Sequence, residues 1–363
     1  MTTSPLPQAP PNPAGRAGAR VSPEEGLRLY RDGDLLDLGQ RAQSVRFEKN
    51  PGLRVTYVLD TNPNYTNVCV TDCSFCAFYR KPGAPGAYTL SVEEVLKKIE
   101  GAADKGVTTV LLQGGHNPDL PLDYYLSLVR ETRKRFPGIT PHFFSASEVQ
   151  TMARVSGLSV REVVRRLRDA GQVSLPGGGA EILSERARRR ISPKKGGPES
   201  WLEAHRAAHE AGMRSTATMM YGHVEGPEDV IEHLENIRRL QDETGGFTAF
   251  IPWSFKPANT PLDKKVPHGS SANRYLRMIA FSRIYLDNFP HIQASWFSEG
   301  KKTGQVALHF GADDFGGTIF EENVHRAADH VLKTSEDEIR ALIRDAGFVP
   351  AQRTTLYEVI RTG

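Results

Sequence analysis

A chain of 363 residues has room for one large domain with a complete hydrophobic core or for two ordinary ones. Its 46 basic and 43 acidic residues nearly balance at a formal net charge of +3, which argues against a nucleic-acid partner. No stretch approaches the roughly 20 apolar residues of a membrane span, the Pro-rich start lacks the apolar core of a secretory signal, and three cysteines within eight residues exclude a disulfide framework. The expectation is a soluble, cytoplasmic protein with no membrane partner.

Residues 1–22, rich in Pro, Ala and Gly with almost nothing to bury, are expected to be a disordered tail. An N-terminal helical segment is expected over 23–52, a barrel over 53–325 and a C-terminal helical extension over 326–363. Within the barrel, short apolar runs alternate with amphipathic segments, the βα pattern. The predicted strands are Arg54 to Leu59, Thr108 to Leu112, Thr140 to Phe144, Gln172 to Ser174, Ser215 to Met220, Phe247 to Pro252, Gln293 to Trp296 and Val306 to His309. That is the strand count of a (β/α)8 TIM-type barrel, and the span from first to last is close to the roughly 250 residues such a barrel takes. Between them, Ser91 with Glu94 and Ser159 with Glu162 fit capping boxes. Val95, Leu96, Ile99, Ala102 and Ala103 recur at helical spacing, as do Ile231, Leu234, Ile237 and Leu240 behind Pro227.

In such a barrel, functional residues belong just after each strand, on the C-terminal rim. The segments in that position are rich in Gly, His and carboxylates: Asp60-Thr61-Asn62, Gln113-Gly114-Gly115-His116, Ser145-Ala146-Ser147-Glu148, Pro176-Gly177-Gly178-Gly179, Tyr221-Gly222-His223-Val224-Glu225, Trp253-Ser254-Phe255 and Gly311-Ala312-Asp313-Asp314. Cys69, Cys73 and Cys76 follow the first strand in a Cys-x3-Cys-x2-Cys pattern. Three thiolates on one loop can bind three irons of a cubane and leave the fourth iron open for a ligand. A zinc site short of a fourth ligand, or a fortuitous cluster, is the alternative reading.

Placed after the first barrel strand, this motif resembles that of the radical S-adenosylmethionine superfamily. The resemblance implies a [4Fe-4S] cluster on Cys69, Cys73 and Cys76, with S-adenosylmethionine at the open iron and a 5'-deoxyadenosyl radical as the reactive species. It also places Phe75 and Phe78 toward the adenine, and Gln113, Gly114 and Gly115 at the methionine end, where a missing side chain lets backbone approach ligand. A plain βα turn is the lesser alternative for the glycines. Ser147 and Glu148 are placed to reach the ribose hydroxyls, or they simply start a helix.

Over roughly residues 54 to 320 the resemblance narrows. Asn64-Tyr-Thr-Asn-Val-Cys69, Cys73-Ser-Phe-Cys-Ala-Phe78, Leu112-Gln-Gly-Gly-His-Asn-Pro118, Leu175-Pro-Gly-Gly-Gly-Ala-Glu-Ile-Leu183, Ile191-Ser-Pro-Lys-Lys195, Met220-Tyr-Gly-His-Val-Glu225 and Ile251-Pro-Trp-Ser-Phe255 look like the cyclic dehypoxanthinyl futalosine synthase family of menaquinone biosynthesis. Aminofutalosine synthase and the second subunit of the deazaflavin precursor (FO) synthase share much of this pattern, and the segments at 175–183 and 251–255 favour the cyclase. The family implies a small-molecule substrate with a ribose joined through a ketone to a benzoate. It also implies hydrogen abstraction from the ribose, radical attack on the arene, and a reducing electron donor such as flavodoxin or ferredoxin.

That chemistry asks for a base, and His116, Glu181, His223 and Glu225 are the rim candidates, each equally able to serve a structural polar network. Arg186, Arg188, Arg189, Arg190, Lys194 and Lys195 read as a solvated helix face, with a minority reading as a carboxylate site. Trp253 reads as mouth packing or as a stacking platform. A non-catalytic iron–sulfur carrier is the competing class. It is disfavoured because a carrier needs no barrel and would bring a fourth cysteine.

Overall fold

The computed structural model describes residues 20–266 and 268–363. Two helices, Pro23–Asp32 and Leu35–Lys49, precede the barrel, begun by the side chains of Ser22 and Asp34, which accept from backbone N–H groups of the first turns. Most of the expected tail lies outside the described residues. Its last three residues are docked: Arg20 pairs with Asp242 and, at 2.8 Å, with Asp287; Val21 is buried; Ser22 caps.

The strands are β1 (Arg54–Val58), β2 (Asp60–Thr61), β3 (Thr109–Leu112), β4 (Thr140–Phe143), β5 (Ser174–Leu175), β6 (Arg214–Tyr221), β7 (Phe247–Ser254), β8 (His291–Ile292), β9 (Asp314–Gly317), β10 (Val349–Arg353) and β11 (Val359–Thr362). Strands β2 to β8 form one all-parallel sheet in sequence order. A second sheet runs β11-β10-β1-β9. Only Leu59 separates β1 from β2, and Gln293, directly after β8, bridges Asp314 of β9. Counted with β1 and β2 as one bent strand, eight positions close the ring, as expected for a (β/α)8 barrel.

The expected helical faces are buried as their spacing requires, Ala103 only partly. Ser91 and Glu94 cap each other reciprocally, whereas Glu162 turns its carboxylate to Arg165 and Arg166 and leaves Ser159 a one-way cap. Among the described residues no helix is long and apolar enough to cross a membrane.

Three expectations need correcting. Val306–His309 is not a strand: the helix Lys301–Ala307 covers its first half, with Gly304, Ala307 and Leu308 buried at helical spacing and Val306 exposed. The eighth strand is β9, whose Asp314 carboxylate accepts from the Thr56 hydroxyl at 2.6 Å and from Arg353. Asp313 and Asp314 therefore sit at the start of a strand, away from the rim. The seventh strand is His291–Ile292, wholly before the expected Gln293–Trp296, where the chain instead turns into the helix Trp296–Glu299. Finally, the C-terminal extension is not only helical. After the helix Glu336–Asp345, β10 runs parallel to β1, and Thr355 beyond it meets Thr109 of β3 at 2.6 Å. It fills the seam where β1 diverges from β3.

Candidate functional site

The loop after β2 crosses the C-terminal end of the barrel and is pinned by backbone. Cys69 N–H donates to the Arg80 carbonyl at 2.8 Å, Arg80 N–H to the Asn67 carbonyl at 2.8 Å, and Val70 N–H to the His116 carbonyl at 3.3 Å. Asp72 takes a left-handed φ of 38° between the first two cysteines, bending the loop back on itself. Cys69 and Cys73 are buried and Cys76 is half-buried. The Thr71 hydroxyl lies 3.0 Å from Cys69 Sγ and 3.7 Å from Cys73 Sγ, so it brings these two thiols together. Among the described residues no three His, Cys, Asp or Glu groups converge as around a single ion. Burial pushes the Cys73 thiol up against the pull of Lys195, and pushes Cys76 up to about 11. Metal ligation by these thiols releases their protons, so it is pH-coupled.

The Gly pair after β3 serves this loop first. A Cβ on Gly115 would overlap the Val68 carbonyl and stand 3.0 Å from Cys69 Cβ; one on Gly114 would stand 2.7 Å from the Tyr65 ring. The missing side chains make room for the cysteine segment itself. Glu148, 2% exposed, holds the same junction. Its Oε1 accepts from Tyr65 OH at 2.7 Å and Gly114 N–H at 2.9 Å; its Oε2 accepts from Ser145 N–H at 2.7 Å and Oγ–H at 2.6 Å. A carboxylate offers about four acceptor positions, and all four are used. Nearby, a Cβ on Gly178 or Gly179 would overlap the Gln113 amide or the Ser147 hydroxyl, so the turns after β3, β4 and β5 converge there.

His116 is buried and, among the described residues, its imidazole makes no hydrogen bond; burial, with Lys195 adding to it, holds it neutral. Glu181, at φ 45°, pairs with Lys195 at 2.8 Å, their side chains 6% and 11% exposed. The Lys195 ammonium lies 5.3 Å from the Phe75 ring centroid. Phe78 packs edge-on against Tyr88. His223 and Glu225 form a separate knot: His223 Nδ1 accepts from Val224 N–H and Nε2 donates to the Met220 carbonyl, while Glu225 accepts from Gly222 N–H, His223 N–H and Arg274. Their polar atoms brace the turn after β6.

Sequence reasoning missed two groups. Arg188 and Lys195 point inward, Arg188 donating to the carbonyls of Gly179, Ala180 and Gly196, so the basic run is not a uniformly solvated face. Their signal was the Ile191–Lys195 motif. Across the mouth, Glu299 accepts from Ser254 N–H at 3.0 Å and Tyr221 OH at 3.3 Å, Lys256 donates to Ser254 Oγ at 2.8 Å, and Trp253 packs on His325 with centroids 5.5 Å apart. Burial lowers His325 to about 3.

A parallel barrel carrying three rim thiols after its first strand defines a radical S-adenosylmethionine enzyme. The radical SAM superfamily model matches residues 63–237, and a CofH/MqnC C-terminal region model matches 244–362. A cyclic dehypoxanthine futalosine synthase of Halalkalibacterium halodurans is 46% identical over 95% of this chain and 93% of its own. In Streptomyces coelicolor the protein of that name is 45% identical, over 94% of this chain and 86% of its own. The aminodeoxyfutalosine synthase of the same organism is 38% identical, over 95% and 92%. The fold matches a crystal structure of HydG, a maturase of the [FeFe]-hydrogenase, at TM-score 0.73 and 19% identity, over 93% of this chain and 73% of that one.

The chain belongs to the radical SAM superfamily, in the branch of cyclic dehypoxanthine futalosine synthase. Members of this superfamily use a [4Fe-4S] cluster and S-adenosylmethionine. The donor set here fits them: three thiols within eight residues of one pinned loop, with no fourth cysteine in the chain.

Proposed function

We propose that this enzyme converts dehypoxanthine futalosine to its cyclic form in menaquinone biosynthesis, and that Cys69, Cys73 and Cys76 hold the cluster. The observation carrying this reading is the difference within one organism, 45% identity to the cyclase against 38% to the synthase. When bound, cluster and cofactor supply the deoxyadenosyl radical that takes hydrogen from the ribose. Everything else falls to the chain. Gly114, Gly115 and Glu148 seat the cysteine loop; Gln113 and Ser147 line the cofactor side with Phe75 and Phe78.

His116 is the group that accepts the ring proton when aromaticity returns. It is neutral and has no competing hydrogen bond among the described residues. Its low basicity suffices, because a ring that has lost an electron, which the oxidised cluster would take up when bound, releases its proton readily. The Glu181–Lys195 pair fixes charge near Cys73, and His223 and Glu225 shape the turn without taking a proton. The protein acts without a membrane or nucleic-acid partner, in the cytoplasm, and draws its electron from a reducing protein.

Incubating the anaerobically reconstituted enzyme separately with dehypoxanthine futalosine, the aminofutalosine synthase substrate, and diaminouracil plus tyrosine tests this. Mass spectrometry should find a product two hydrogens lighter from the first alone. Turnover of either other substrate set in its place contradicts the assignment.

A further inference from the structure

Positive charge is unevenly placed on this molecule. Six exposed cations, Arg80, Lys81, Arg190, Lys194, Lys264 and Lys265, lie on the cysteine loop or on segments bonded to it. Each is tied to it by the backbone or by an ion pair. Arg80 and Lys81 continue the loop beyond Cys76, and the Arg80 carbonyl accepts from Cys69 N–H. Arg190 precedes Ile191, whose carbonyl accepts from Ser74 N–H at 2.9 Å. Lys194 pairs with Asp72 at 2.8 Å. Leu262 N–H donates to the Ser74 carbonyl at 2.8 Å, and Lys264 and Lys265 follow at once.

The acids on these segments are Asp72 and Asp263, while Arg189 is matched by Glu185 on its own helix and Lys195 by Glu181 inside. Setting six cations and two anions aside from 46 basic and 43 acidic residues leaves 40 against 41. The whole net positive charge of the chain is therefore carried by this collar.

A small acidic substrate enters through the barrel mouth and has no use for cations outside the loop. A macromolecule that must come close to the cysteines does, and the collar sits on the loop that carries them, where Cys76 is half-buried. We propose that the collar is the docking surface for a small acidic protein that delivers one electron to the cluster. The donor is oxidised by one electron and the cluster reduced by one, with no other reactant. The proposal rests on the radical-enzyme reading above. Charges so placed raise the rate of encounter more than they raise affinity, and the effect weakens with salt.

The test uses the full, reconstituted chain and a photoreduced flavodoxin as probe. Cluster reduction is followed by the EPR signal of the reduced cluster, and flavodoxin binding by surface plasmon resonance. Lys81→Glu/Lys265→Glu should slow reduction by flavodoxin roughly tenfold or more at low salt, weaken binding, and flatten the salt dependence, while reduction by dithionite is unchanged. Lys81→Arg/Lys265→Arg should behave as wild type. Equal losses with flavodoxin and dithionite would overturn the proposal, since the collar would then be serving the loop itself. No loss with either would overturn it too. A wild-type cluster that dithionite reduces but that never cleaves S-adenosylmethionine would instead sink the functional reading, leaving the docking measurement intact.

Discussion

Gly115 shows how one residue can be found for one reason and needed for another. Its place after β3 was apparent from the sequence, and the resemblance assigned it to the cofactor. In the fold, the space a side chain would take holds the Val68 carbonyl and Cys69 Cβ. Gly115→Val should therefore displace the cysteine loop and lower iron content on reconstitution, rather than merely weaken cofactor binding; full iron loading with weakened S-adenosylmethionine binding would return Gly115 to the cofactor role. Glu148 makes a similar point. A carboxylate three residues after a serine reads as a helix start, but its other two donors come from Tyr65 and Gly114, distant in sequence, and no local pattern announces them. Glu148→Gln places an amide among donors and should cost about 1–3 kcal/mol, measured as a shift in the denaturation midpoint.

Among the elements, the segment Ile191–Lys195 links the cysteine loop to the barrel. Its lysines grip opposite sides: Lys194 takes Asp72 outside and Lys195 takes Glu181 inside. Removing one partner of a buried pair leaves the other charged and unmatched, at a cost of about 3–5 kcal/mol. Lys195→Met should therefore destabilise the protein by that order in chemical denaturation, and Lys195→Met/Glu181→Leu should recover much of the loss. A double variant no better than the single would show that the pair is not the coupling.

Strands followed the same logic. β1, β3, β4, β6 and β7 announced themselves through apolar runs, because each buries side chains between barrel interior and helices, whereas the polar pair Asp60–Thr61 of β2 did not read as a strand. β9 did not, since its inward carboxylate is neutralised by Arg353, which arrives on β10 from the far end of the chain. A partnership of that sequence separation has no local signature, so the eighth strand was sought in a short apolar run that is helical.

At the scale of the whole molecule, the barrel buries several histidines as neutral groups. Desolvation lowers His142, His209 and His233 to about 3. Unfolded, each protonates near pH 6.5, so their contribution to stability is complete above that value and is lost as the pH falls toward 3, at about 1.4 kcal/mol per unit and group. The denaturation midpoint should drop steeply between pH 6.5 and 5; a flat profile there would mean that these rings are hydrated in the folded state. By this reading the barrel, with its three rim thiols, generates a radical that closes a ring on a futalosine derivative. Dehypoxanthine futalosine carrying deuterium at the ribose carbon beside the ring oxygen tests it most directly, in a reduced, oxygen-free assay read by mass spectrometry. One deuterium is expected in 5'-deoxyadenosine, with a spirocyclic product two hydrogens lighter than its substrate, and neither compound from Cys76→Ala. Unlabelled 5'-deoxyadenosine beside intact substrate would contradict it.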